Sequence, residues 1–222
     1  MDLLLLLVIL IIPAVAQWGV YKSYNTYKQV KNSKGISGFE VARKILDDNG
    51  LEKVHVVEVN GNLTDHYDPS RKVVRLSSDV FHGETIAAVS IAAHEVGHAL
   101  QDKDGYLYMR FRSLIFPVVN VATGVSYYII LLGILLQAFD MIMLGIALTG
   151  CGLIFQLVTL PVEFNASNRA KKLLTKMNLV SAGEAEGVRS MLGAAAMTYV
   201  AGVIASALQI LRLLMIYGGN RD

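Results

Sequence analysis

The strongest constraint in this sequence is that its apolar residues fall into four stretches. Each is close to the length of about 20 residues that carries a helix across a bilayer. They cover residues 3–21, 114–136, 141–160 and 191–216, and two polar segments, 22–113 and 161–190, lie between them. Hydrophobic residues make up 54% of the chain and charged residues 17%, whereas a soluble domain carries about 25% charge. A soluble core of 222 residues cannot hide so much apolar surface. The expectation is an α-helical integral membrane protein with about four transmembrane helices and a small cytoplasmic α+β unit. A net charge of +2 leaves no footprint for a polyanion, so nucleic acid is excluded as a partner. The single cysteine, Cys151, excludes an internal disulfide framework and any Cys-rich zinc module.

The first stretch has a rival reading. A leucine-rich run followed by Ala14-Val15-Ala16 has the form of a signal peptide with its cleavage site. The charges argue otherwise. Asp2 precedes the run, and Lys22, Lys28, Lys31 and Lys34 follow it. That order suits a retained helix whose C-terminal end faces the cytoplasm. Lys and Arg also crowd the two polar segments, while the Gln137–Asp140 connection has none. Both polar segments are therefore expected inside, and that turn and the tail Gly218–Asp222 outside. The division that follows is 1–21, first transmembrane helix; 22–113, cytoplasmic α+β segment; 114–160, transmembrane hairpin; 161–190, cytoplasmic helical segment; 191–222, fourth transmembrane helix and C-terminus.

Within the longer polar segment, Ser37-Gly38-Phe39-Glu40 fits a capping box, and the helix it opens should stop at Asn49-Gly50. Residues 54–59 are β-branched and read as a strand. Asp68-Pro69-Ser70 signals a turn, and 73–76 reads as a second strand. A helix is expected over about 84–102.

That helix carries His94-Glu95-Val96-Gly97-His98. One helical turn takes 3.6 residues, so His94 and His98 project from one face and can bind one zinc ion. Glu95 is rotated about 100° from His94. It sits beside the metal, where it can take a proton from an attacking water. The bland alternative is a structural histidine pair. The apolar flanks, Ile91-Ala92-Ala93 and Ala99-Leu100, instead suit a buried active-site helix. A hydrolytic zinc site usually has three protein ligands, and no histidine follows His98. Of the downstream acids, Asp140 and Asp222 fall on the far side, and Asp102 and Asp104 are too near the motif to bend back. Glu163, expected to open a helical segment after the third stretch, is left, with Glu184 and Glu186 as weaker competitors. Two crossings separate His98 from Glu163, so the chain returns Glu163 to the face it left.

The stretch Leu63-Thr64-Asp65-His66-Tyr67-Asp68-Pro69, then Leu76-Ser77, then Ala92 to Gln101, then Leu160-Pro161-Val162-Glu163-Phe164-Asn165-Ala166-Ser167 resembles the YugP-type bacterial membrane zinc metallopeptidases. The resemblance covers essentially the whole chain. That family looks like a relative of the prenyl-protein and heat-shock membrane proteases, in which a Glu opening an E-F-x-A-D motif is the third zinc ligand. The resemblance therefore implies Glu163 in that role and a zincin-like, gluzincin-type metalloprotease unit. This chain has Ser167 where the relatives have the acid. Proteases of the wider class bind peptide as an added strand along a sheet edge, which is expected here at Val73, Val74, Arg75, Leu76 and Ser77.

Other polar residues have plainer readings. His55, His66 and His82 precede the motif and read as loop or strand residues. Asp65, His66 and Asp68 suggest a second metal site less readily than an Asp-rich turn. Arg169, Lys171 and Lys172 read as a positive-inside flank. Gly145, Gly150 and Gly152 suggest close helix packing. The expected function is zinc-dependent hydrolysis of peptide bonds at the cytoplasmic face of a bacterial plasma membrane. Its partners are a protein or peptide substrate and membrane lipid, with membrane partner proteins or homo-oligomers left open. A catalytically silent zinc-containing membrane adaptor is the main rival. It has no need of the general base that Glu95 supplies. A zinc transporter would want ionisable residues inside the spans, which are nearly free of them.

Overall fold

Long helices dominate the computed structural model, which describes residues 2–218. Helix α1 is Asp2–Tyr27, and α2 is Gly38–Asp48. Strands β1 (His55–Val59), β2 (His66–Asp68) and β3 (Val73–Ser77) follow, then a short α3 (Ser78–Phe81) and α4 (Ile86–Lys103). Helix α5 is Leu107–Leu135, α6 is Phe139–Lys176, and a 3₁₀ turn at Ala182–Glu184 leads into α7, Ala185–Tyr217. Four segments, Asp2–Tyr27, Leu107–Leu135, Phe139–Lys176 and Ala182–Tyr217, are long and apolar enough to cross a membrane. Of the expected exterior tail, residues 219–222 lie outside the described range.

The helices overrun the expected spans, and at one point this changes the reading. Glu163 does not open a new helix. It lies inside α6, which continues through Pro161 to Lys176. Proline inside a helix removes one backbone hydrogen bond and usually kinks or ends it, yet here the helix persists on both sides.

The chain forms two units. One comprises the described parts of 1–17, 107–161 and 197–222. Its helices approach through glycine. A Cβ on Gly133 would stand 2.9 Å from the Ile142 nitrogen, and one on Gly145 3.0 Å from the Ser126 carbonyl oxygen. Gly152 faces the Thr123 methyl group, whereas Gly150 has nothing within 4 Å and packs no helix. Ile142, Ile146 and Leu213 form a buried cluster with Ile130 and Ile210 against it. Arg212 donates to both carboxylate oxygens of Asp2, at 2.7 and 3.0 Å.

The other unit comprises 18–106 and 162–196. Its sheet has the order β1-β3-β2, with β1 parallel and β2 antiparallel to β3. Helices α2 and α4 pack on one another and on the sheet, burying Val41, Ile45, Val74, Leu76, Val89 and Val96. Helix α2 starts as the sequence suggests. The Ser37 hydroxyl accepts from the Glu40 N–H while the Glu40 carboxylate accepts from the Ser37 N–H, and Gly50 takes φ +68° just past the end.

The sheet corrects one expectation. Val73, Val74, Arg75, Leu76 and Ser77 are not an edge. They form the central strand, paired along its whole length with β1 and, at Val73, Val74 and Arg75, with β2. At Ser77 the second side is closed by Asp65, whose carboxylate accepts from the Ser77 N–H at 2.8 Å. A strand whose ladder donors and acceptors are already used cannot take a further strand. The outer edges of the sheet belong to β1 and β2.

Candidate metal centre

Helix α4 holds the motif on a rigid element. Its N-cap is Thr85, whose hydroxyl accepts from the Ala88 N–H at 3.2 Å. From Ile86 to Gln101 nearly every residue is buried, so this helix runs through the middle of its unit. His98 and Glu95 are buried and His94 nearly so. The two imidazoles lie with centroids 4.8 Å apart and ring planes 88° to one another.

Helix α6 brings the third group. Glu163 Oε2 lies 3.3 Å from His94 Nε2 and 3.5 Å from His98 Nε2. The helices can come this close because residue 97 is glycine. A Cβ there would meet the Ala166 carbonyl oxygen at 2.8 Å and its Cα at 3.2 Å. His94, His98 and Glu163 offer ligand atoms that all lie within 4.8 Å of one another, and no other such group occurs among the described residues.

The donor set fits zinc. Two imidazole nitrogens and a carboxylate oxygen are the ligands of a His₂Glu catalytic site. Ligand atoms at about 2.0–2.2 Å from a tetrahedral ion stand roughly 3.3–3.6 Å apart, which is the spacing of Glu163 Oε2 from each Nε2. Burial works against a charge on His98. The Glu163 hydrogen bond and the charge of Glu95 outweigh it and hold the imidazole above its usual range. An environment that favours positive charge at this nitrogen favours a cation held there too.

Both outer ring nitrogens are occupied. The Ser167 hydroxyl lies 3.2 Å from His94 Nδ1. Gln101 Oε1 lies 3.0 Å from His98 Nδ1. The sequence reading gave Gln101 no role. The available signal was its spacing of three residues from His98, which places both on one helix face.

Near the motif, Asp65 is half-buried. Desolvation pushes its carboxyl above the usual range, opposed by the Ser77 N–H, and the charge of Glu95 adds to the rise. The remaining candidates are not part of the His94, His98 and Glu163 group. His66 Nδ1 is 2.8 Å from the Thr64 carbonyl, and His82 Nε2 is 3.2 Å from Glu58. Asp68 accepts from the backbone of Ser70 and Arg71, as an Asp-led turn does. Glu184 accepts from the backbone of Ser33 and Ser181 and so ties two loops together. Glu186 is exposed and pairs with Arg189.

Residues 2–218 match the family model described as "Putative neutral zinc metallopeptidase". The chain is 49% identical over 207 residues to a Bacillus subtilis (strain 168) protein called "Putative membrane protease YugP". That alignment covers 93% of this chain and 92% of the relative. No solved structure matches.

Proposed function

The chain belongs to the neutral zinc metallopeptidase family, and from that premise we propose that it is a membrane-embedded zinc-dependent endopeptidase. The observation that carries this reading is the convergence of His94, His98 and Glu163 beside Glu95 on a buried helix. His94, His98 and Glu163 would hold the metal. Bound zinc supplies Lewis-acid polarisation of a carbonyl and lowers the pKa of water toward about 7.

The chain's own groups do the rest. Glu95, adjacent to His94 and rotated off the ligand face, takes the proton of the attacking water and delivers it to the leaving amine. Its buried position keeps bulk water from competing for that proton. Glu163 contributes the negative charge that offsets part of the metal's. The peptide runs along the outer edge of β2, His66–Asp68, where main-chain hydrogen bonds give affinity with little sequence preference. Asp65, one residue before β2, lies close enough to Glu95 to feel its charge, which supports this edge as the one beside the chemistry.

The unit that carries the motif is zincin-like in this reading, and it faces the cytoplasm of a bacterial cell. Basic residues in 22–113 and 161–190 support that side, as does their absence from the 137–140 connection. In this reading the four apolar helices each cross the membrane, and the catalytic segments 22–113 and 161–190 alternate with the spans.

The test is metal dependence. Purified protein in detergent should cleave an unfolded protein substrate, lose that activity when a chelator strips the metal, and regain it on addition of zinc. Cleavage indifferent to metal removal would rule the reading out.

A further inference from the structure

Resting on the zinc reading, we propose that Gln101 is a positioning residue that fixes the tautomer of His98, its amide being turned by the Val162 carbonyl and, in agreement with it, by the Asn165–Arg169 pair. Gln101 is fully buried, at 0% exposure, so each end of its amide must find a partner of the right kind. Gln101 Nε2 lies 2.7 Å from the Val162 carbonyl oxygen and 3.0 Å from Asn165 Oδ1. A carbonyl only accepts, so this end of the amide must be the NH₂ group.

The Asn165 orientation is fixed independently. Its Oδ1 lies 2.8 Å from Arg169 Nε. A guanidinium has donors and no acceptor, so Asn165 must present oxygen there, and the same oxygen receives Gln101. Arg169 is itself held by Asp104, at 2.5 Å. Two separate constraints therefore agree, and the end of Gln101 that faces His98 Nδ1 is the carbonyl oxygen, 3.0 Å away.

An oxygen there can only accept, so His98 Nδ1 must carry a hydrogen. In the neutral ring the lone pair then sits on Nε2, which is the atom turned toward Glu163. His98 is set to ligate without a change of tautomer. The opposite tautomer would bring two acceptors together in a buried site. The same amide also binds the carbonyl of Val162, the residue before Glu163, so it joins the backbone of the third ligand to the helix of the other two.

His94 differs. Its Nδ1 meets the Ser167 hydroxyl, and a hydroxyl both donates and accepts. Ser167 imposes no tautomer. The two histidines of one motif are thus unequally constrained.

The experiment uses full-length protein purified in detergent, with histidine ¹⁵N labelling and zinc as the probe. Long-range ¹H–¹⁵N coupling on the zinc-loaded wild type should show His98 with hydrogen on Nδ1 and zinc on Nε2. The reverse assignment would overturn the proposal with no mutant needed. Zinc affinity, measured by competition with a chromophoric chelator, should fall about 10- to 100-fold in Gln101→Leu. Gln101→Glu keeps an acceptor for His98 and should bind zinc within a few-fold of wild type. Its melting temperature should nevertheless drop, because a carboxylate oxygen would replace the donor to Val162 and Asn165. A purely structural role predicts that zinc affinity follows stability in both variants. Wild-type-like affinity in Gln101→Leu, or Gln101→Glu as weak as Gln101→Leu, would overturn the proposal while leaving the metal centre standing. Failure of wild type to bind zinc would remove both. Ser90→Ala alters another buried polar group on the same helix, one bonded to the Ile86 carbonyl, and should leave zinc affinity unchanged.

Discussion

Gly97→Ala tests whether the metal centre depends on how closely α4 and α6 approach. The added methyl group would stand 2.8 Å from the Ala166 carbonyl oxygen, with the Ala166 carbonyl carbon at 3.3 Å. Ordinary contact between such atoms is about 3.5 Å or more, so the helices must part by about 0.7 Å. Metal–ligand distances tolerate only about 0.2 Å. The partner atoms are backbone, so no side chain can swing aside. Forcing a methyl group into a packed interior costs about 1–3 kcal/mol. At about 1.4 kcal/mol per tenfold, that corresponds to roughly 5- to 150-fold weaker zinc binding if the strain falls on the ligand geometry. Alanine also gains about 1 kcal/mol of helix propensity over glycine, so the melting temperature should change less than the zinc affinity. Competition with a chromophoric chelator measures the first and thermal unfolding the second. Gly193→Ala is the control, because nothing lies within 4 Å of a Cβ at that site. Gly97→Ala with wild-type zinc affinity would refute the argument that Gly97 sets the distance from His94 and His98 to Glu163.

Glu163→Ala should lower zinc content and proteolysis together, by metal analysis and a cleavage assay. Glu184→Ala should keep its zinc and lose thermal stability, because Glu184 only joins the Ser33 and Ser181 loops. For topology, cysteines at the exposed positions Lys31 and Lys176, with Cys151 removed, should both be shielded from an impermeant thiol reagent in intact cells. Both should label once the membrane is opened, and labelling of Lys31→Cys from outside would revive the signal-peptide reading.

Much of the site was legible because its signals are local. His94, Glu95 and His98 sit at a helical spacing that one turn explains, and the Ser37–Glu40 capping box needs only four neighbouring residues. The apolar stretches were equally plain, because a bilayer imposes a length on them. What was not legible depends on partners distant in the chain. The three residues of β2 lie in an Asp-rich turn, and only pairing with 73–75 makes them a strand. The central place of β3 follows from a sheet order that differs from chain order. Helix α6 passes through Pro161 because the packed residues beyond it, Val162, Ala166 and Ala170, are buried and hold the helix. Gln101 showed its spacing from His98, but Val162, which orients its amide, lies 61 residues on.

The central claim is that Glu95 performs general-base chemistry at a metal centre made by His94, His98 and Glu163. It is tested most directly by measuring zinc content and proteolysis of Glu95→Gln beside wild type. The substitution preserves volume and removes the base. Zinc should remain bound in full while cleavage of an unfolded protein substrate falls about 10²–10⁴-fold; cleavage at the wild-type rate would contradict the account.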